Sequence, residues 1–307
     1  MSRLRHLVDH YLEVRRGLGY KLEREGRLLP DFVSFLQSRH ASHITAALAL
    51  EWATVSSLAT TRWWSTRLSI VRLFACFANG FDPGHEVPST DLVPTTAHSR
   101  RVPYIYHDDD IKCLMVRTRC LQGLKAETYA TLLGLLYVTG MRVGEAIRLQ
   151  RADVDWEQGL LTVHHTKFDK SRQLPLHPGT IKALRQYTKR RDAAVACPRA
   201  DNFLLSLAGT QLHYKNVHKT FMHLLLSTHL GQRLPARPRI HDLRHSFAVR
   251  TLVQWQQQGL DVEARLPVLS TYLGHVCPSA TYWYLHATSE MLVPAAKRLD
   301  HALGVLP

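Results

Sequence analysis

The sequence predicts a mainly α protein of the α+β class: a helical N-terminal domain, then a larger mixed domain that holds a small antiparallel sheet. Three observations carry that prediction. The chain has 307 residues, longer than one typical domain. Apolar residues recur at helical spacing through most of its length, with one pair of short strand-like runs inside residues 160–178. A stretch at 81–102 with three prolines, several Ser/Thr and no hydrophobic period separates the halves.

The elements follow in order. In LVDHYLEVRRGLG, Leu7, Tyr11, Leu12 and Val14 fall near one face, and Gly17 and Gly19 stop the helix. DFVSFLQSR follows Pro30, a residue suited to a first helical turn. TRWWSTRLSIVRLFACFANG places Trp64, Leu68, Val71, Phe74 and Ala75 on a stripe, with Arg62, Arg67 and Arg72 off it. Those arginines form either a solvated face or a row laid on a phosphate backbone. A helical domain over 1–80, a linker over 81–102 and a second domain over 103–307 result.

The second domain opens with DDDIKCLMVRT, a helix with acids in its first turn. TYATLLGLLYVTG is an apolar helix ending at a glycine, MRVGEAIRLQ restarts a helix, and DVDWEQG is a turn. LLTVHHT and SRQLPLHP read as a hairpin around KFDK, and DNFLLS as a short strand.

Charge narrows the function classes. Apolar residues at 45% and charged residues at 21% are ordinary, but a net charge of +14 is not. It favours a polyanionic partner, nucleic acid before an acidic membrane surface. Residues 1–99 carry a net +2 and residues 100–307 a net +12, so the second domain holds the basic surface. The five cysteines are widely spaced without a CxxC, which speaks against a disulfide scaffold or zinc ribbon. The start lacks a signal-like apolar segment and no run of 18 apolar residues occurs, so a reduced, cytoplasmic, non-membrane protein is expected.

Several residues could carry chemistry. Arg142 follows the helix-breaking Gly140, with Glu145 one turn later; an arginine beside a glycine is more often simply a surface residue. Lys167 sits at the hairpin tip, where lysine usually serves solubility, or else offers a mobile ammonium, with Lys170 as its competitor. In HDLRH, His241 and Arg244 share a helix face and can approach one anion together. His241 and His245 are spaced like paired metal ligands, but Arg244 between them would repel a cation. His275 follows in LGH, then Tyr282 and Tyr284, between which spacing alone does not choose.

Taken in order, TGMRVGEAIRL, the HHTKFDKSRQLPL hairpin, HDLRHSFA, LGH and Tyr284 resemble the tyrosine recombinase (phage integrase) family over about 145 residues. RVPYIYHDDDIKCL echoes the family's entry into its catalytic domain, and the first domain resembles its helical core-binding domain. The resemblance implies a site-specific DNA recombinase that cleaves and rejoins strands through a 3′-phosphotyrosyl intermediate, serving integration or transposition of a mobile element. The alternatives are a catalytically silent DNA-binding regulator and a type IB topoisomerase-like enzyme.

Carried over residue by residue, the resemblance gives Arg142, Lys167, His241, Arg244, His275 and the nucleophile Tyr284 catalytic roles, with Glu145 as the supporting acid. The stretch VCPSATYW, with Pro278, departs from the family's usual run. Arg62, Arg67, Arg72, Lys170 and Arg172 are expected on DNA. The implied partner is double-stranded DNA, held by a tetramer on two sites, with room for a partner recombinase. No cofactor or metal is implied. The absence of a P-loop and of an acidic ligand cluster agrees with chemistry that conserves the phosphodiester's energy in a covalent intermediate.

Overall fold

The structure, a computed structural model, describes residues 3–55, 60–93, 102–164, 171–232, 237–275, 277 and 279–286. It divides into two compact units, Met1–Arg100 and Arg101–Pro307.

The first unit is helical: α1 (Arg3–Gly17), α2 (Glu25–Ser38), α3 (Ala46–Thr54) and α4 (Thr61–Asn79). Leu4, Val8, Tyr11 and Leu12 of α1 are buried, whereas Val14 is exposed, so the apolar face lies one turn earlier than the sequence suggests. Pro30 lies inside α2 rather than in its first turn. As the sixth residue of α2 it costs that helix one backbone hydrogen bond. Leu68, Val71, Phe74 and Ala75 of α4 are buried as the stripe predicts, and Trp64 packs on the same core.

Two of the three α4 arginines are engaged within the first unit. Arg67 stacks 3.7 Å from the Trp52 ring centroid and pairs with Asp31 at 3.6 Å, leaving its side chain 11% exposed. Arg72 donates to the carbonyls of Pro88 (2.8 Å) and Ser89 (2.9 Å). Only Arg62 of the three lies exposed.

Those Arg72 bonds also bear on the segment expected as a linker. Residues 81–93 are part of the first unit: the buried His85 accepts from the Ile44 backbone through Nδ1, Glu86 accepts from Ala46 N–H, and Val93 joins the core. A proline-rich segment without hydrophobic period still packs when side chains from elsewhere supply its carbonyls with donors.

The second unit contains α5 (Asp108–Arg117), α6 (Gly123–Thr139), α7 (Val143–Arg148), α8 (Pro178–Ala194), α9 (Tyr214–Leu226), α10 (Asp242–Gln257), α11 (Val262–Leu273) and α12 (Ser279–His286). Its antiparallel sheet runs in the order β1 (Val154–Asp155), β2 (Leu160–Val163), β3 (Arg172–Pro175). Val163 faces Arg172 across the hairpin. The sequence misses β1 and overcalls DNFLLS, where Asn202 and Leu205 make only isolated bridges. The helix α6 is apolar on nearly every side and lies in the main core, against α5, α8 and α10. A second cluster joins Ala248, Val249 and Leu252 of α10 to Leu266, Leu269 and Leu273 of α11 and to Tyr284 of α12. That cluster places the last helix against the residues described next.

Candidate active site

Two helix ends make the frame. α6 stops at Gly140 (φ 61°) and α11 at Gly274 (φ 68°), both left-handed. A Cβ at Gly140 would stand 2.5 Å from the Phe247 ring, and one at Gly274 2.8 Å from the Arg172 guanidinium, so glycine is required on both counts.

The last carbonyls of a helix have no partner within it, and here guanidinium groups take them. Arg244 donates to the carbonyls of Gly140 (2.9 Å) and Leu273 (2.6 Å). Arg142 donates to Gly274 (3.0 Å), and Nε of Arg172 to Tyr272 (2.8 Å). The negative ends of both helix dipoles favour cations at this point. A carbonyl, however, neutralises no charge.

One carboxylate serves the whole cluster. The buried Glu145 accepts from Arg142 through Nη1 and the backbone N–H, both at 2.8 Å, and from both Nη atoms of Arg172 at 3.2 and 2.8 Å. Burial alone would raise its pKa, but the two guanidiniums hold the carboxyl down at about 2. Three guanidiniums therefore face one carboxylate, and the site keeps an excess of positive charge. Burial, followed by Arg142, brings Arg244 down to about 10, still charged at neutral pH. The side chain of Arg142 is 35% exposed and the most open of the three.

Arg172, expected on DNA, is engaged within the protein. Its side chain is 10% exposed and committed to Glu145 and to the α11 terminus. The sequence shows it only as one more basic residue of the hairpin, because the groups it binds lie 27 and 100 residues away.

The histidines are neutral. Burial, then Arg244 and Arg142, push His275 down to about 4. Burial and His241 push His245 down to about 3. His241, preceding α10, reaches solvent, yet desolvation of its ring and the nearby Arg244 lower its pKa as well. Its ring centroid is 5.0 Å from that of His245, which packs 5.4 Å from both Trp283 and Tyr284. Among the described residues, no three metal-ligating side chains gather anywhere.

The structure separates the two candidate tyrosines. Tyr282 is 45% exposed, whereas Tyr284 is 2% exposed and lies within the electrostatic reach of Arg244 and Arg142. Its ring stacks on His275 at a centroid distance of 6.3 Å. Burial raises its pKa, with Arg244 acting in the opposite direction. Five expected residues (Arg142, Glu145, Arg244, His275, Tyr284) thus converge, with His241 beside them. Lys167, Lys170 and Pro278 lie outside the described residues.

Thr281 had gone unnoticed. Fully buried on α12, its hydroxyl lies 2.7 Å from Nδ1 of His275. The available signal was its register, one helical turn before Tyr284. The assembly can hold an anion on planar donors and set a phenol oxygen beside it.

Comparison with known proteins agrees with this geometry. The family model "Phage integrase family" matches residues 99–291. The chain is 42% identical over 98% of its own length and 98% of the relative's to a putative integrase/recombinase, y4rB, of Sinorhizobium fredii. It is 27% identical to the tyrosine recombinase XerD of Staphylococcus saprophyticus, over 73% of this chain and 72% of the other. Among solved structures, the Tn1549 transposon integrase in complex with circular intermediate DNA aligns with a TM-score of 0.68 at 17% identity, over 97% of this chain and 100% of that one. XerH site-specific recombinase bound to its difH substrate gives 0.62 at 17% identity, over 91% and 78%.

Proposed function

This chain belongs to the phage integrase family and is a tyrosine recombinase, and on that premise we propose that it cleaves and rejoins duplex DNA at specific sites through a 3′-phosphotyrosyl intermediate, serving the integration or transposition of a mobile element. The observation that carries the reading is the convergence of the buried Tyr284 with Arg244 and Arg142, whose charges act on its hydroxyl. Relatives named as integrases, and relatives of the fold solved on DNA, support the substrate.

The chemistry follows from charge. A phosphodiester repels nucleophiles, and attack loads its non-bridging oxygens with more negative charge. Arg142 and Arg244 face that charge with planar forks, and His241 and His275 add donors; removing one preorganised donor of this kind typically costs roughly 10²–10³-fold in rate. Ionising a phenol of ordinary pKa at neutral pH costs about 4 kcal/mol. An incoming phosphate does not lessen that cost, but the nearby Arg244 guanidinium does. The phenol proton passes to a neutral histidine of the site, His241, and the 5′-oxygen must leave with a proton, the task assigned to Lys167. Attack by the freed hydroxyl on the phosphotyrosine reverses the step, with no nucleotide consumed. A tetramer on two DNA sites is the proposed assembly.

The test is Tyr284→Phe on a nicked suicide duplex. The wild type is expected to leave a covalent protein–DNA band on a denaturing gel, while the variant binds the duplex and leaves none. A covalent band from the variant would remove Tyr284 from its role.

A further inference from the structure

We infer that Thr281 is a positioning residue that fixes which nitrogen of His275 carries the proton, and that it does so only while the nucleophile helix α12 is docked. The inference rests on the recombinase reading given above and deepens it. Three observations carry it. The Thr281 hydroxyl is 2.7 Å from Nδ1 of His275, and Thr281 is fully buried. His275 is held neutral by burial and by Arg244 and Arg142, so one ring nitrogen bears hydrogen and the other a lone pair. And Thr281 sits one turn ahead of Tyr284 on the same short helix, so the two side chains arrive together.

The direction of the bond follows from the opposite side of the ring. A hydroxyl can serve an imidazole as donor or acceptor. A phosphate oxygen held among Arg142 and Arg244 rewards an N–H at Nε2. The Thr281 hydroxyl then donates to Nδ1, and the proton stays on Nε2, facing the anion. In a buried histidine the partner of one nitrogen dictates the function of the other.

The docked helix also explains why a threonine serves better than an exposed polar residue. Six other threonines on helices of this protein (Thr54, Thr66, Thr139, Thr188, Thr251, Thr271) donate their hydroxyls to the carbonyl four residues earlier. Thr281 turns instead to a histidine outside its own helix. Withdrawal of α12 therefore removes the nucleophile and releases the imidazole tautomer in one movement.

The experiment compares Thr281→Val, which keeps the shape and loses the hydroxyl, with Thr281→Ser, which keeps the hydroxyl, in the full chain. Ring ¹⁵N chemical shifts of His275 are read with inorganic phosphate bound and no DNA, and single-turnover cleavage of a nicked duplex is read separately. Expected are a single Nε2–H tautomer in wild type and Thr281→Ser, a mixture in Thr281→Val, and cleavage roughly tenfold slower in Thr281→Val alone. Wild-type shifts in Thr281→Val, an Nδ1–H tautomer in the wild type, or equal loss of cleavage in both variants would overturn the inference. If the shifts behave as expected while no form of the protein cleaves DNA, the tautomer lock stands and the recombinase reading falls.

Discussion

The arginines of α4 and the arginines around Glu145 look alike in the sequence, and the structure uses them in opposite ways. In the first unit, Arg67 is cancelled by Asp31 and covered by Trp52, and Arg72 ties down a loop through Pro88 and Ser89. In the second, Arg244 is held by the carbonyl ends of α6 and α11, which orient it without removing its charge, while Arg142 and Arg172 share the single negative charge of Glu145. A guanidinium's availability to an anion therefore depends on what holds it. A carboxylate spends the charge; a carbonyl aims it.

The sharpest way to break this comparison is Arg244→Lys. An ammonium cannot span the Gly140 and Leu273 carbonyls and still present a planar face, so cleavage should fall roughly 10²–10³-fold, close to the loss from Arg244→Ala. Near-normal single-turnover cleavage by the lysine variant would mean that charge alone suffices.

The counterpart in the first unit is Arg67→Leu, expected to cost about 1 kcal/mol of stability through the lost stacking on Trp52, while the salt dependence of DNA binding stays unchanged. Arg62→Ala should do the reverse, leaving the melting temperature alone and lowering the salt slope of binding by about one. Both effects are read by thermal melting and by titration at several salt concentrations. A shallower salt slope from Arg67→Leu would put that residue back on DNA.

Acid provides a smaller test. His245 and His275 titrate lower in the folded chain than the usual 6.5, so unfolding takes up protons as pH falls below that value. Stability should be full above about pH 6.5 and decline toward pH 4. Below about 4.5 the Glu145 carboxylate, held at about 2, adds a further loss of stability as pH falls. His245→Phe should flatten the pH 6.5–4 portion of a melting-temperature profile; an unchanged slope would show that His245 does not contribute.

Much of this was legible before any coordinates. The helical stripe of α4, the acids opening α5, the apolar α6 with its terminal glycine and the β2–β3 hairpin all follow from local periodicity and turn chemistry, because those act within a few residues. The order and spacing of Arg142, Glu145, His241, Arg244, His275 and Tyr284 named the candidate chemistry. The packing of residues 81–93 was not legible, because composition reports what a segment lacks, not which distant side chain will hold its carbonyls.

Sequence alone therefore determined which residue types were present, in what order, and on which helices and strands most of them lay. The tertiary structure alone decided how the charges are held: Arg67 and Arg172 largely inside, Arg142 partly open, Tyr284 buried, and Thr281 on His275. The reason is range. Secondary structure is set by neighbours one turn away, whereas the counter-ion of an arginine can lie a hundred residues along the chain, and only folding brings it within hydrogen-bonding distance.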